Sequence, residues 1–383
     1  MAPKILMRKD KLKSSTIENA PLEEVFAPKS STIENAPLEE VNTDKQTEAI
    51  RWSWACRIIN ANDTYEIAPS DSRDIPNVGD VALFKVLSIG SHKQIVTTLN
   101  KKIRLYQGDL FVGVFGNRYA TDAYEGEVEG LKNLSLLTAA GMVGTVKSKY
   151  RSMGNPSDVL CLGFLRNVTT NQRVNLKQLK FNKSEPSSYL RNIIVIVGSG
   201  MNSGKTTACR KLIKAFSQKE PRIAACKLTG SVSNRDQDEM LSASPEYTID
   251  FSDYGFPSTY KCELGELLDL FKTMISDIER INPKLIIMEI ADGILQRETK
   301  LILDSAIFKR WIKNILVTAD TAPSALYTTE YLQRKGYNVI AVSGAITSSP
   351  LYIKEFEQNS QIPIISSATE NINLHPFKHL LIK

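Results

Sequence analysis

Ile193-Ile-Val-Ile-Val-Gly198-Ser-Gly-Met-Asn-Ser-Gly204-Lys205-Thr206-Thr207 is the stretch on which the fold turns. Five consecutive β-branched residues make a strand with no polar face, and such a strand needs cover on both sides. A glycine-rich turn follows, and Ala208, Leu212 and Phe216 then recur at helical spacing over residues 205 to 218. Strand, glycine turn and helix in that order let backbone amides close around phosphate oxygens while the helix N-terminus adds positive potential. Gly198, Gly200, Asn202, Ser203, Gly204, Lys205, Thr206 and Thr207 are therefore the candidate nucleotide-binding residues. Lys205 is expected to neutralise the β and γ phosphates, and Thr206 to ligate Mg²⁺. Gly198 and Gly204 enclose five residues where four are usual, and Ser199 stands where the first glycine commonly does.

Towards the C-terminus the apolar runs 223–227, 285–289, 315–318, 339–342 and 362–365 alternate with helical patterns. That alternation predicts an α/β fold, a mostly parallel P-loop sheet with helices on both faces, spanning residues 188–383. Ligands of such sheets bind beyond the C-terminal strand ends. The run Leu285-Ile-Ile-Met-Glu289-Ile-Ala-Asp292-Gly293 delivers two carboxylates there, making Glu289 and Asp292 candidates for the Mg²⁺ shell. The alternation of a strand sends side chains three apart to opposite faces, so the two acids are expected to act unequally. Lys227 to Glu239 is polar and follows a strand; it reads as a switch or substrate loop, with Asp236 or Asp238 as carboxylate and Arg235 as a charge partner. Asp250 to Tyr260, rich in aromatic and hydroxyl groups, reads as an acceptor-recognition loop with Asp253 as its acid. Gln296-Arg297-Glu298 reads as a lid or as an exposed helix face. Gly344 to Pro350 follows a late strand near the nucleotide base, and the lack of an Asn-Lys-x-Asp run favours ATP over GTP.

The six-residue step from Gly198 to Gly204, the Lys-Thr-Thr after it, the strand ending in Lys227-Leu-Thr-Gly230 and the acidic strand end together resemble the dethiobiotin synthetase-like branch of P-loop NTPases. That branch is itself similar to the ParA and nitrogenase iron-protein ATPases, and the resemblance covers roughly residues 190 to 383. It implies that Lys205 and Thr206 hold phosphates and Mg²⁺, that Lys227 reaches the substrate or phosphoryl group, and that Glu289 serves the metal. The glutamate and glycine-rich turn with which the synthetase binds substrate is replaced by Glu289-Ile-Ala-Asp-Gly293, so dethiobiotin synthesis itself is not implied.

Towards the N-terminus the pattern changes twice. Residues 50–187 carry short β-rich runs about ten residues apart, broken by Gly79-Asp80 and Gly108-Asp109, and predict a small antiparallel barrel-like domain. Within it Gly116 to Gly126 gathers Arg118, Tyr119, Asp122 and Tyr124, chemistry suited to clamping an anion or stacking on a base. Residues 1–49 contain an identical 12-residue segment twice, 14–25 and 30–41, and read as a flexible arm. Its copies carry too few apolar residues to order themselves, yet could dock a protein partner twice.

The 383-residue chain is 42% apolar, and no run approaches the length of a membrane span. Five cysteines without CxxC spacing and three histidines exclude zinc modules and disulfide scaffolds. The net charge of +6 is diffuse, which leaves nucleic acid weakly supported as a partner. The expectation is a cytoplasmic homo-oligomer that uses ATP and Mg²⁺ to phosphorylate or activate a small-molecule acceptor. An ATPase switch acting on a protein or nucleic acid, or a polynucleotide kinase, is the alternative.

Overall fold

The computed structural model describes residues 4–6, 50–71, 73–187, 192–220, 222–366 and 372–381. The duplicated segments lie outside the described residues. In chain order the strands are β1 (Lys4–Leu6), β2 (Ile50–Trp52), β3 (Thr64–Pro69), β4 (Val81–Val86), β5 (Gln94–Val96), β6 (Lys102–Arg104), β7 (Leu110–Phe115), β8 (Tyr124–Glu127), β9 (Leu134–Leu136), β10 (Met142–Lys149) and β11 (Ser157–Asn167). They continue as β12 (Ile193–Gly198), β13 (Ile223–Lys227), β14 (Tyr247–Asp250), β15 (Leu285–Gly293), β16 (Asn314–Thr318) and β17 (Asn338–Ser343).

The fold is mixed α/β. Its C-terminal sheet runs β14-β13-β15-β12-β16-β17, parallel throughout, and β12 is buried along its whole length. Alternate residues of β12 serve opposite faces. Ile194 and Ile196 pack with Ala208, Leu212, Ile213 and Phe216 of the helix Lys205–Ser217. Val195 and Val197 pack with Leu267, Phe271, Met274 and Ile275 of the helix Leu264–Glu279. Each such apolar side chain contributes about 1.5–3 kcal/mol of burial, so the strand that launches the glycine turn is among the most firmly held. The run 362–365, expected as a strand, is reduced to a single parallel bridge between Val342 and Ile364. Pro363 accepts from the Val342 amide but has no N–H to donate, so the ladder does not extend.

The larger sheet of the N-terminal region follows the order β1-β3-β11-β4-β7-β10-β8, with β2 on β7 and β9 pairing both β10 and β11. Most neighbours are antiparallel, as expected, but β1–β3, β2–β7 and β7–β10 are parallel. The crossover from β7 to β10 is long enough for a parallel return because it carries β8 and β9. Phe84, Phe111, Phe115 and Phe164 form its aromatic centre, with ring centroids 5.2 to 5.8 Å apart. β1 lies within the stretch whose composition reads as an arm, and Ile5 is buried against β-sheet residues.

The two regions meet along the C-terminal strand ends. Arg57 pairs with Asp253 at 2.5 Å, Lys261 with Glu127 at 2.5 Å, and the Tyr260 hydroxyl donates to Glu125 at 2.9 Å. Asn100, at the tip of the β5–β6 hairpin, donates to Asp238 at 2.9 Å and accepts from Asn234 at 2.7 Å. Among the described residues no helix is long and apolar enough to cross a membrane.

Candidate active site

Two glycines give the turn after β12 its shape. Gly204 has φ 95°, a left-handed conformation that favours glycine, and opens the helix Lys205–Ser217. A Cβ on Gly198 would lie 2.3 Å from Ser203 Oγ and 2.8 Å from Lys205 Nζ, so only glycine lets the loop fold over its own lysine. Lys205 is buried, and its Nζ donates to the carbonyls of Gly200 at 2.7 Å and Met201 at 3.1 Å. Burial pushes its pKa down to about 8, with Glu289 and Asp292 opposing. The loop is tied to neighbouring strand ends: Ser203 Oγ lies 2.8 Å from Thr318 Oγ1, and the Ala345 amide donates to the Ser203 carbonyl at 3.0 Å. The stretch after β17 thus touches the glycine loop itself.

Beside the loop stands a charged array. Lys227, the last residue of β13, is the register partner of Glu289, midway along β15. Lys227 Nζ lies 3.2 Å from Glu289 Oε1 and 2.7 Å from Asp236 Oδ2. Burial opposes the charge on Lys227, and the attraction of Glu289 and Asp236 outweighs it, holding the ammonium charged well above its ordinary range. Thr206 Oγ1 donates to Glu289 Oε1 at 3.3 Å. The second oxygen, Glu289 Oε2, is buried with no hydrogen-bond partner among the described residues. An orphaned carboxylate oxygen beside a threonine hydroxyl is a donor set that fits a hard cation such as Mg²⁺.

Asp292 lines the same cleft as Glu289, against the expectation from strand alternation. The reason is local: Asp292 has φ 61°, and the β12–β15 register slips between Ile196 and Gly198, so the alternation breaks before residue 292. Burial raises its pKa to about 6, with Lys205 and Lys227 pulling it down.

The polar stretch after Lys227, expected as a loop, is one only as far as Ser233, whose hydroxyl caps the helix Asn234–Ser242 that forms the rest. Asp236 faces Lys227, whereas Asp238 binds Asn100 and Asn234, and Arg235 is exposed at the cleft. Asp253 sits elsewhere. Its Oδ2 accepts from the Asp250 amide at 2.9 Å, closing a capping box around the turn Phe251–Tyr254, and its Oδ1 holds Arg57. It is not among the residues that line the cleft. Gln296 caps the helix Arg297–Asp304, and Glu298 is buried, accepting from Gln296, Arg297 and the Lys261 amide; these groups brace the region rather than cover the site.

The cleft measures about 530 Å³ and has two walls. One is the glycine loop with Thr206, Thr207, Lys227, Asp236, Glu289 and Asp292. The other comes from the N-terminal region: His92, Arg118, Tyr119 and the run Thr138–Ala140. Asn202 bridges the two, donating to Asp122 at 3.0 Å. The Arg118–Tyr119 pair was visible in the sequence as a binding loop, but His92 and Thr138–Ala140 were not, because nothing near them in the chain marks them.

No protein-family profile and no curated protein matches the chain. Among solved structures it is similar to FtsY from Mycoplasma mycoides (14% identity, 54% of this chain and 73% of that chain, TM-score 0.35) and to the signal recognition particle receptor FtsY from Elizabethkingia anophelis in complex with GDP (15%, 56% and 76%, TM-score 0.35). It is also similar to the kinase domain of the Escherichia coli tyrosine kinase ETK at 18% identity and a TM-score of 0.28, covering 39% of this chain. The match spans 65% of that kinase domain, less than two thirds of its length.

Proposed function

We propose that the chain is an Mg²⁺-dependent, ATP-binding P-loop enzyme that uses the γ-phosphate to phosphorylate or activate a small-molecule acceptor. One observation carries the reading: the glycine loop and the Lys227–Asp236–Glu289 array share a single cleft whose opposite wall is built by another sheet. A loop that only gripped nucleotide would need no second wall. The pairing of β9 with both β10 and β11 supports treating 50–187 as a barrel-like domain that supplies this wall.

In this mechanism Lys205 and the loop amides neutralise phosphate charge, leaving positioning as the main catalytic contribution. Thr206 and Glu289, with Asp292 nearby, would hold Mg²⁺, which when bound supplies charge neutralisation for the phosphates. Lys227 is fixed by its two carboxylates, ready to meet charge that develops on the transferred group. Asp236 orients Lys227.

The test is ADP release by the full chain with Mg²⁺, with and without a metabolite panel, for wild type and Lys205→Ala. Turnover is expected to rise with a metabolite and to fall about a thousandfold in the variant, with an unchanged melting temperature. Wild-type turnover by Lys205→Ala would remove the glycine loop from the chemistry. A second reading, an ATPase switch, draws on the bonds from Asn100 to Asp238 and Asn234, which tie the β5–β6 hairpin to the helix bearing Asp236. Stimulation by a polymer or protein instead of by a metabolite would favour it.

A further inference from the structure

We propose that the β-rich wall of the cleft is a subsite for a small carboxylate, with Arg118 as the group that binds it; this deepens, and rests on, the reading of the cleft as an ATP-dependent enzyme's.

Arg118 follows β7 and is held in place by two backbone hydrogen bonds exchanged with Gly126, at 2.8 and 3.0 Å. Its guanidinium donates through Nη1 to the Leu137 carbonyl and lies 6.0 Å from the Tyr124 ring. Among the described residues it makes no ion pair. Asp122, in its own loop, attracts the guanidinium through space but forms no ion pair with it, and its Oδ2 accepts from Asn202. Of the other cations of the cleft, Lys227 is matched by two carboxylates, Lys205 lies within the glycine loop, and Arg235 is exposed on the opposite wall, on the helix that bears Asp236. A guanidinium carries five N–H donors in a planar fork, and most of this fork is uncommitted. Burial lowers its pKa, and the attraction of Asp122 and Tyr124 offsets this only in part.

The surroundings narrow the ligand. His92, beside Arg118 on the same wall, has its pKa pushed down to about 4 by burial and by the Arg118 charge, so it is neutral near pH 7. Its Nδ1 is buried with no hydrogen-bond partner among the described residues. The wall therefore offers one positive fork and, with His92 neutral, no second cation, which matches a single negative charge better than a dianionic phosphate ester. Ala120, Ala139 and Ala140 leave a low, apolar surface for a carbon skeleton beside the fork. A nucleic-acid backbone would call for a row of cations, and this wall supplies one.

The experiment measures ADP release from Mg²⁺-ATP by the full chain, with binding of a fluorescent ATP analogue read separately. The probes are L-glutamate, succinate and glutarate, their primary amides, glycerol 3-phosphate, and a single-stranded RNA. At least one acid is expected to raise turnover about tenfold or more, and its amide less than about twofold. Arg118→Met should raise the KM of that acid by about 30-fold, Arg118→Lys by less, while the dissociation constant of the ATP analogue moves less than about threefold in both. Arg118→Lys keeps the charge and guards against a folding defect, which the melting temperature reports. The proposal is overturned if ATP binds but no acid stimulates, if acid and amide act alike, if the phosphate ester or RNA stimulates instead, or if the Arg118 variants keep the wild-type KM. A wild-type chain that does not bind ATP would overturn the underlying reading, and the subsite with it.

Discussion

The two loops that face each other across the cleft are held by different means. Gly198 to Lys205 is shaped by its own backbone: a left-handed Gly204, a Gly198 with no room for a side chain, and a lysine that bonds carbonyls four and five residues behind it. Gly116 to Gly126 is closed by the Arg118–Gly126 backbone pair, but its side chains are fixed from a distance. Tyr124 donates to the Gly154 carbonyl at 2.7 Å, Arg118 reaches the Leu137 carbonyl, and Asp122 accepts from Asn202 on the far side of the cleft. A loop fixed by local geometry carries its own address in the chain. A wall assembled from remote segments carries only part of its address, since Arg118 and Tyr119 stand out in the chain while His92 and Thr138–Ala140 join them only when the sheets come together.

The sharpest way to test that contrast lies at the end of β15, where both kinds of control meet. Glu289→Gln should lower Mg²⁺-dependent turnover by about 10²–10³, because it weakens contacts to both Thr206 and Lys227, whereas Asp292→Asn should cost about tenfold. Steady-state rates at saturating Mg²⁺-ATP check this. Equal and small losses at both positions would make the strand end structural.

The second test concerns the remote contacts. Arg57→Ala removes the partner of Asp253 and leaves Asp250 and Asp253 facing one another without a cation. Loss of the cation from this part-buried charged group costs about 1–3 kcal/mol, so a drop in unfolding free energy is expected, with binding of the ATP analogue changed by less than about twofold. A variant as stable as wild type would show that this joint does not hold the regions together, and lost nucleotide binding would mean that the glycine loop depends on it.

The smallest effect is in pH. Burial, with Asp253 adding to it and Arg57 opposing, raises Asp250 from the ordinary 3.8 to about 6. A folded pKa above the unfolded one means that this stabilisation is complete below about pH 4 and is lost as pH rises through 6, by at most about 3 kcal/mol. Asp250→Asn keeps an acceptor for the Ser252 amide but cannot titrate. The stability of the variant relative to wild type should therefore rise between pH 4 and 6, as read from paired thermal melts. A difference independent of pH would contradict the assignment.

Much of the C-terminal sheet was legible in the chain because its strands are continuous apolar runs and its glycine turn is local. The positions of Lys205 and Thr206 at the helix start and of Lys227 and Glu289 beyond apolar strand runs follow from the same pattern. Asp236 could be singled out, but not its partner, since the helix that turns it towards Lys227 depends on a cap at Ser233 within a stretch polar enough to pass for a loop. Asp253 looked equally acidic and equally placed after a strand. Its engagement with Arg57, 196 residues earlier in the chain, had no local trace. Burial of His92 beside Arg118 was likewise invisible, because the two belong to different strands' loops and meet only through the packing of the sheet.

The left-handed backbone at Asp292 sets the mutational spectrum of that position. A library selected for folding alone would populate residue 292 with glycine, asparagine and aspartate, the residues that adopt φ 61° at least cost, and would discard valine, isoleucine and threonine whatever their polarity. Selection for turnover would then rank aspartate above asparagine and asparagine above glycine. The two rankings part company within a set of three residues, so a single codon reports separately on the shape of the strand end and on the charge it carries.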